Sequence, residues 1–218
     1  MSHLNIQRFV VNPFQENCYI VSDETLDAVI IDCGALYDAE REAVVDYIKA
    51  NKLKVKHLLA THGHIDHNFG NNTLFDEFGI SVSVHAKDEY LMGKLHEQAL
   101  EFCGFAPDYD FPPVGKYFTE NDVITFGEHQ FAIISTPGHT PGSVFFCSES
   151  EGVAFSGDTV FRMSIGRTDF ECGSYEDIQR SLKKVTTILP DSTIILPGHG
   201  PQTTLGDERR MNPYIRMC

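Results

Sequence analysis

Apolar residues along this chain fall into short runs separated by turn residues. Runs at residues 6–11, 18–22 and 28–31 have the length and composition of β-strands. Residues 38–50 then carry apolar side chains at helical spacing and predict an α-helix, with one face formed by Ala39, Ala43, Val44, Tyr47 and Ile48. The chain therefore begins with three predicted strands followed by a helix.

A similar order continues through the middle of the chain. A strand over residues 56–60, a short helix that ends near residue 78 and a strand over residues 81–84 precede a predicted helix over residues 86–102. Residues 103–116 are rich in Phe and Pro and fit neither period. They form either a loop beside a pocket or a loop packed over the core.

The last clear helix starts after Ser174, a residue type that caps helix N-termini, and Pro190 stops it. Its apolar face contains Ile178, Leu182, Val185 and Leu189. Strands followed by a helix, twice, predict two similar halves that pack sheet against sheet with helices outside. This periodicity supports an α/β or α+β fold, and with 218 residues the chain fits a single domain spanning residues 1–218.

A dense group of metal-binding residue types follows the apolar run at residues 58–60. The segment 61–67 reads Thr-His-Gly-His-Ile-Asp-His and contains four potential ligands, His62, His64, Asp66 and His67. A divalent metal binds a neutral imidazole and an ionised carboxylate, and both forms are populated near neutral pH. A loop leaving a strand can project alternate side chains in one direction. So dense a group predicts more than one ion, or one ion with an open coordination position.

Three later segments each place one His or Asp directly after a glycine at the end of an apolar run. They are Pro137-Gly138-His139, Ser156-Gly157-Asp158 and Pro197-Gly198-His199. The strand fixes the direction of the side chain, and glycine lets the backbone turn and approach closely. Each segment alone is weak evidence, but four metal-type segments in this order predict one metal site.

The charge and the cysteines narrow the function classes. The formal net charge is −14, from 31 acidic and 17 basic residues, and it argues against nucleic acid binding, which rests on Lys and Arg. No apolar run reaches the ~20 residues of a membrane helix. The six cysteines show no Cys-x-x-Cys spacing, and the N-terminus lacks a secretory pattern. We therefore expect a cytoplasmic protein with free thiols.

From residue 17 to residue 201 the chain resembles the metallo-β-lactamase superfamily, and within it the hydroxyacylglutathione hydrolase (glyoxalase II) branch, especially its short bacterial type. Two further stretches are similar to family members, Ile31-Asp32-Cys33-Gly34 and Gly166-Arg167-Thr168-Asp169-Phe170. The resemblance implies a four-layer αββα sandwich. It also implies two sets of ligands joined by one bridging carboxylate: His62, His64 and His139 for one ion, Asp66, His67 and His199 for the second, and Asp158 as the bridge.

This resemblance implies two divalent ions as cofactors, zinc first, with iron or manganese also compatible with mixed His and carboxylate ligands. Two such ions about 3.5–4 Å apart share a water-derived ligand and lower its pKa to roughly 7. The implied reaction is hydrolysis of a small-molecule thiolester by metal-bound hydroxide. Asp158 would hold the ions in place and Asp66 would orient the hydroxide. The oligomeric state is left open.

Three further residues are candidates for supporting roles. Asp32 ends an apolar strand and either accepts a hydrogen bond from a ligand histidine or is a turn residue before Cys33-Gly34. Arg167 either recognises a substrate carboxylate or pairs with Asp169 and locks its loop. Tyr175 is a candidate to line the pocket, although Tyr at a helix start is more often packed there. The other histidines have no ligand pattern and are expected to be ordinary: His3, His57, His85, His96 and His129.

The runner-up function is a persulfide dioxygenase-like oxidoreductase with one iron, because such relatives share the His-rich segment and a similar Gly-Arg-Thr-Asp-Phe stretch. The complete second set of ligands favours the hydrolase. β-Lactamase activity is disfavoured, because those enzymes are exported and lack the carboxylate represented by Asp158. Longer glyoxalase II enzymes hold glutathione with a helical C-terminal extension, whereas only residues 200–218 follow His199 here. A different thiolester or a broad acyl specificity is therefore a further alternative.

Overall fold

The computed structural model of the chain describes residues 3–217. Its first sheet has six strands in chain order: β1 (Asn5–Val11), β2 (Glu16–Ser22), β3 (Asp27–Ile31), β4 (Lys54–Leu59), β5 (Val82–His85) and β6 (Lys116–Phe118). The neighbouring strands are antiparallel from β1 to β3 and parallel from β3 to β6. Each parallel step requires a crossover connection, and the crossovers from β3 to β6 contain helices.

The second sheet also has six strands, in the order β14-β13-β10-β9-β8-β7. Their bounds are β7 (Val123–Phe126), β8 (His129–Ser135), β9 (Val144–Ser148), β10 (Val153–Gly157), β13 (Ile194–Pro197) and β14 (Thr203–Thr204), while β11 (Val160–Phe161) and β12 (Ser164–Ile165) pair separately. Within this sheet β10 and β13 run parallel and the other pairs are antiparallel. Each half therefore contributes one six-stranded sheet, with three parallel pairs in the first and one in the second.

The helices are α1 (Asp38–Ala50), α2 (Asn71–Phe78), α3 (Glu89–Met92), α4 (Leu95–Cys103), α5 (Tyr175–Ile188) and α6 (Leu205–Met211), with 3₁₀ turns at Ile65–His67, Ala86–Asp88 and Ile215–Met217. The predicted bounds of the first helix are those observed for α1. Ser174 caps α5, accepting a hydrogen bond from the Asp177 N–H, as its residue type predicts. Among residues 3–217, no helix is both long and apolar enough to cross a bilayer.

Opposite faces of β2 contribute to two different cores, because side chains alternate along a strand. Tyr19 and Val21 pack between the two sheets with Phe131 and Phe155. Cys18 and Ile20 face the other way and pack under α1, α2 and α4. A third core lies between the outer face of the second sheet and helices α5 and α6. The layers run helix, sheet, sheet, helix, which confirms the predicted αββα fold.

The predicted helix over residues 86–102 is wrong in one respect. The segment is divided into a 3₁₀ turn, the short α3 and α4, with Gly93 and Lys94 between the two helices. Glycine is a poor helix former, and the Lys94 backbone leaves helical geometry there, with φ of −117° and ψ of 18°. The break lets the start of α4 approach the His-rich segment, as described below.

Sequence analysis also missed α6 and left residues 103–116 open between two interpretations. Thr204 caps α6 by accepting from the Asp207 N–H, so the Thr-x-x-Asp spacing was the overlooked signal. In the 103–116 loop, the Tyr109 hydroxyl donates to the Phe69 carbonyl at 2.9 Å, and Phe111 packs against the core under α1, α2 and α4. The loop therefore packs over the core.

Candidate metal centre

The His-rich segment follows the C-terminal end of β4 and ends in a 3₁₀ turn. His64 has extended backbone, with φ of −80° and ψ of 148°, and it precedes the 3₁₀ turn Ile65–His67. The expectation of an extended, alternating loop therefore fails at Asp66, which lies within that turn. The turn brings Asp66 and His67 back toward the same space as His62 and His64.

The other three candidate ligands lie at strand ends in the second half. His139 lies in the turn after β8, Asp158 directly follows β10, and His199 lies two residues beyond β13. Of the three glycines that precede these ligands, Gly198 permits the closest approach, because a Cβ there would lie 2.3 Å from Asp158 Oδ1 and 2.6 Å from His67 Cε1. A side chain at residue 198 would occupy the space where the two halves meet.

The structure brings all seven side chains together. His64 Nδ1 lies 2.8 Å from His139 Nε2, and His139 Nε2 lies 3.6 Å from Asp158 Oδ2. Asp158 Oδ2 is in turn 3.5 Å from His199 Nε2, which lies 3.2 Å from Asp66 Oδ2. Among residues 3–217, four groups have ligand atoms within 4.8 Å of one another and could hold a metal ion: His62 with His64 and His139, His62 with His67 and Asp158, Asp66 with His67 and His199, and Glu16 with Asp32 and His67.

Hydrogen bonds fix the tautomers of four of the five imidazoles. The Nδ1 atoms of His139 and His199 lie 2.7 Å from the Arg167 carbonyl and 2.9 Å from the Phe14 carbonyl. A carbonyl only accepts, so each Nδ1 carries the hydrogen and, in the neutral ring, each Nε2 carries a lone pair. His67 Nδ1 likewise faces Asp32 Oδ2 at 3.0 Å.

His62 follows the same logic through a hydroxyl. Thr61 Oγ1 donates to Asp32 Oδ2 at 2.7 Å and therefore accepts from His62 Nδ1 at 3.1 Å. The buried atoms His62 Nε2, His67 Nε2 and Asp158 Oδ1 have no hydrogen-bond partner. Buried polar atoms are normally paired, and inward lone pairs on imidazole and carboxylate fit a set of divalent cations.

The electrostatic environment differs between the two groups of ligands. Burial lowers the pKa of His62 well below its usual value and lowers the pKa of His64 to about 3. Burial also acts on His67, but nearby carboxylates outweigh it and raise its pKa well above the usual value, namely Asp66, Asp158 and Asp32. Burial therefore favours the neutral imidazoles of His62 and His64, whereas the carboxylates around His67 favour a positive charge at that position, which a metal cation would supply.

Five side chains hold the backbone of the His-rich segment, namely Asp88, Gln98, Asn68, Asp32 and Asn12. Asp88 Oδ2 accepts from the Gly63 N–H at 2.8 Å and from the Thr140 hydroxyl at 2.7 Å, and Asp88 Oδ1 accepts from the Gly142 N–H at 2.6 Å. Asp88 thus joins the His-rich segment to the turn that carries His139. Sequence analysis did not select Asp88, because an isolated Asp at the start of a helix has the pattern of an ordinary cap.

Gln98 and Asn68 complete this support. Gln98 Oε1 accepts from the Ile65 N–H at 3.0 Å, and its Nε2 donates to the Gly63 carbonyl at 3.1 Å. Asn68 Nδ2 donates to the His64 carbonyl at 2.6 Å. Gln98 reaches the segment because α4 starts anew after Gly93. Neither residue belongs to a recognisable motif, so the sequence alone did not reveal them.

Glu16 and Asn17 are further residues that sequence analysis missed. Both are buried at the start of β2. Glu16 Oε2 accepts from the Gly34 N–H at 3.1 Å, and burial raises the pKa of Glu16 well above its usual value. Asn17 donates its backbone N–H to the Gly198 carbonyl at 2.7 Å. A polar pair before an apolar run resembles a turn, so their burial is not predictable from the sequence pattern.

The supporting residues named from the sequence have different outcomes. Asp32 lies against His67, as described, and has a φ of 53°, in the left-handed region that Asp adopts more readily than most residues. Arg167 Nε and NH2 each donate to Asp169 at 2.9 Å, which is the loop-locking alternative. Tyr175 is 47% exposed, and it is not among the residues that line the cavity at the candidate ligands. The expectation that Tyr175 lines the pocket is therefore wrong for this cavity.

A cavity of about 590 Å³ opens at the candidate ligands. Besides His64, Asp66, His139, Asp158 and His199, it is lined by Phe14, Ile65, Glu101, Phe102, Phe161, Ser164, Ile165, Arg167 and Phe170. A larger cavity of about 700 Å³ lies outside the second sheet and contains none of the candidate ligands. The chemistry therefore points to the smaller cavity.

This chain belongs to the metallo-beta-lactamase superfamily, whose family model matches residues 11–199. Among proteins of similar sequence, hydroxyacylglutathione hydrolase GloC from Haemophilus influenzae is 38% identical over 214 residues, which cover 97% of this chain and 98% of that protein. These likenesses confirm the predicted superfamily and its glyoxalase II-like branch.

Two solved structures are also similar. The crystal structure of BLEG-1 B3 metallo-beta-lactamase has a TM-score of 0.88 and 33% identity, covering 97% of this chain and 99% of that one. The crystal structure of TTHA1623 in a di-iron-bound form has a TM-score of 0.84 and 33% identity, covering 95% of this chain and 99% of that one. The roles of individual site residues, the single-domain extent and the cellular location stay predictions.

Proposed function

We propose that this chain is a metal-dependent hydrolase that cleaves a thiolester of the hydroxyacylglutathione type. The observation that carries the proposal is the set of buried, unpartnered atoms at His62, His67 and Asp158, which lie where a bound cation would satisfy them. The likeness to GloC supports a thiolester as the substrate class. One water is consumed: its oxygen forms the new C–O bond, the C–S bond breaks with its electron pair going to sulfur, and the two protons of the water go to the thiolate and to solvent, leaving a carboxylate and a thiol.

We assign one divalent cation to His62, His64 and His139 and a second to Asp66, His67 and His199, with Asp158 between them. Bound there, the cations would supply Lewis acidity toward a carbonyl oxygen and would lower the pKa of water. The mixed imidazole and carboxylate donors fit zinc and also iron. Because a similar protein has a di-iron-bound form, both metals are included in the experiment below.

The chain's own residues supply orientation. Asp32 and Thr61 hold the imidazoles of His67 and His62 with Nε2 pointing inward, and so fix their tautomers. We assign to Asp66 the acceptance of a hydrogen bond from the attacking water. A thiol has a pKa of about 8.5, so a leaving thiolate needs little protonation near neutral pH.

The test combines metal analysis with a thiolester assay. The purified protein is expected to contain about two divalent ions per chain and to release thiol from S-lactoylglutathione. Chelation should abolish the thiol release, and zinc or iron should restore it. A fully metal-loaded protein that releases thiol from none of a panel of thiolesters would overturn the proposal.

Two other substrates belong in the same assay. The likeness to a structure named as a B3 metallo-beta-lactamase makes a chromogenic β-lactam a necessary arm, although the sequence disfavours that activity. A persulfide with oxygen consumption as the readout tests the single-iron oxidoreductase. The Asp66, His67 and His199 group speaks against that alternative, because one iron would leave these ligands without a cation.

A further inference from the structure

Aromatic rings flank the candidate ligands. The ring of Phe170 lies 5.5 Å from that of His64, the ring of Phe102 lies 6.5 Å from it, and the two phenylalanine rings are 5.3 Å apart. At the other group of ligands, the ring of Phe161 lies 6.0 Å from that of His199. A substituent on a carbonyl held among these ligands therefore meets a phenylalanine near either group.

Apart from the metal cations assigned above, the same cavity offers little to an anionic ligand. Arg167 is the one Lys or Arg among the described residues that line it, and its Nε and Nη2 atoms donate to Asp169 at 2.9 Å. Its guanidinium also lies 4.2 Å from the Phe170 ring centroid, stacked over that ring. Glu101, an exposed residue, lines the cavity too and adds a negative charge.

The size of the cavity also fits a small, mostly apolar ligand. The cavity of about 590 Å³ falls in the range of small-molecule sites, which are mostly apolar with a few polar groups that fix orientation. Ile65 and Ile165 add aliphatic surface to the four phenylalanines that line it. An apolar group the size of a phenyl ring would gain burial there, whereas the two carboxylates of glutathione would find, besides the metal cations, one cationic side chain that is already paired with Asp169.

Resting on the proposed thiolester hydrolysis, we propose that the preferred substrate carries an aromatic or bulky apolar acyl group, which Phe102, Phe161 and Phe170 bind. The thiol half contributes little through its charges. The specificity therefore lies in the acyl group, and a small neutral thiol serves nearly as well as glutathione.

Four thiolesters separate the two halves of the substrate. Lactoyl and 3-phenyllactoyl groups share the same 2-hydroxyacyl head and differ by one phenyl ring, and each is joined to glutathione or to N-acetylcysteamine. The phenyl ring is expected to raise kcat/KM by at least about tenfold with either thiol. Exchange of the thiol should change kcat/KM within about fivefold, the range that one exposed charge pair provides.

Two variants locate the preference. Phe102→Ala and Phe161→Ala remove one ring near each group of ligands, and at least one of them should lower the ratio of phenyllactoyl to lactoyl kcat/KM by about tenfold. Phe75→Ala, which removes an exposed ring of α2 that does not line this cavity, should leave that ratio unchanged. Calorimetric binding of phenyllactate and lactate to the metal-loaded protein gives a second readout, and phenyllactate should bind more tightly.

Failure of this inference differs from failure of the proposed function. If all four thiolesters are hydrolysed but lactoyl equals or exceeds phenyllactoyl, or glutathione exceeds N-acetylcysteamine by far more than fivefold, the acyl-specificity inference is wrong and the hydrolase stands. If neither phenylalanine variant changes the ratio, the assignment to these rings is wrong. If none of the four is hydrolysed, both fall together.

Discussion

The two halves of this molecule position their candidate ligands by different means. In the first half four ligands follow β4 in one segment, and side chains from elsewhere hold its backbone. In the second half each ligand is alone with a glycine before it: Asp158 and His199 lie at or just beyond strand ends, and His139 lies in the turn after β8. A loop leaves N–H and C=O groups that need partners, whereas a strand end is already fixed by its neighbours. The position of the first-half ligands therefore depends on the hydrogen bonds that hold their segment. The position of the second-half ligands depends on the close approach that their glycines permit.

The largest loss of activity is expected from a substitution at Asp158, where the two halves meet. Asp158→Ala removes the carboxylate that lies between the two groups of ligands, and we expect kcat/KM for a thiolester to fall by more than about 100-fold, beyond the effect of residues that only support a ligand. Metal content per chain should fall as well. Asp76→Ala, at an exposed position of α2, is the matched control. Near-normal turnover in Asp158→Ala would remove the assignment of the site.

Gly198→Ala tests whether the second half requires close approach of the backbone to the ligands. Gly198→Ala places a Cβ 2.3 Å from Asp158 Oδ1, so the carboxylate or the strand end must move. We expect kcat/KM to fall by about 10- to 100-fold with reduced metal content. Gly93→Ala meets nothing nearer than 3.5 Å and should match the parent. Equal activity in both glycine variants would show that close approach at Gly198 is not required.

Asp88→Asn tests whether hydrogen bonds to side chains hold the His-rich segment of the first half. Asp88→Asn keeps the shape of the side chain but replaces one acceptor oxygen by an NH₂ group, which only donates. The variant side chain therefore cannot accept from both the Gly63 and the Gly142 N–H groups. We expect the free energy of unfolding to fall by about 2–3 kcal/mol, measured by urea denaturation at a fixed metal concentration. An unchanged denaturation midpoint would mean that the segment does not depend on this carboxylate.

A smaller effect is expected at Gln98. Gln98→Leu leaves the Ile65 N–H and the Gly63 carbonyl without their side-chain partner, which should cost about 1–2 kcal/mol of unfolding free energy. Glu97→Ala, an exposed neighbour in α4, should change it by less than about 0.5 kcal/mol. Equal stability of the two variants would contradict the view that side chains hold the His-rich segment.

Local pattern was a good guide where structure depends on neighbours in sequence. The helical spacing in residues 38–50 predicted α1, and strand ends followed by Gly and a ligand predicted where the second-half side chains would lie. Pattern failed at Gly93, where one residue interrupts a helix that the apolar spacing continues through. It also failed at Tyr175, because a position at a helix start does not say which side chain faces the cavity.

Residue type and spacing are enough to predict the alternation of buried positions, and hence the layers, together with the seven side chains able to bind metal. The folded chain is needed to show that His199 donates to the Phe14 carbonyl, 185 residues away, and that Glu16, Asp88 and Gln98 are buried against the site. Side-chain type and spacing are properties of neighbours along the chain. Desolvation and hydrogen-bond partners depend instead on which distant segments pack together, and no local pattern encodes that.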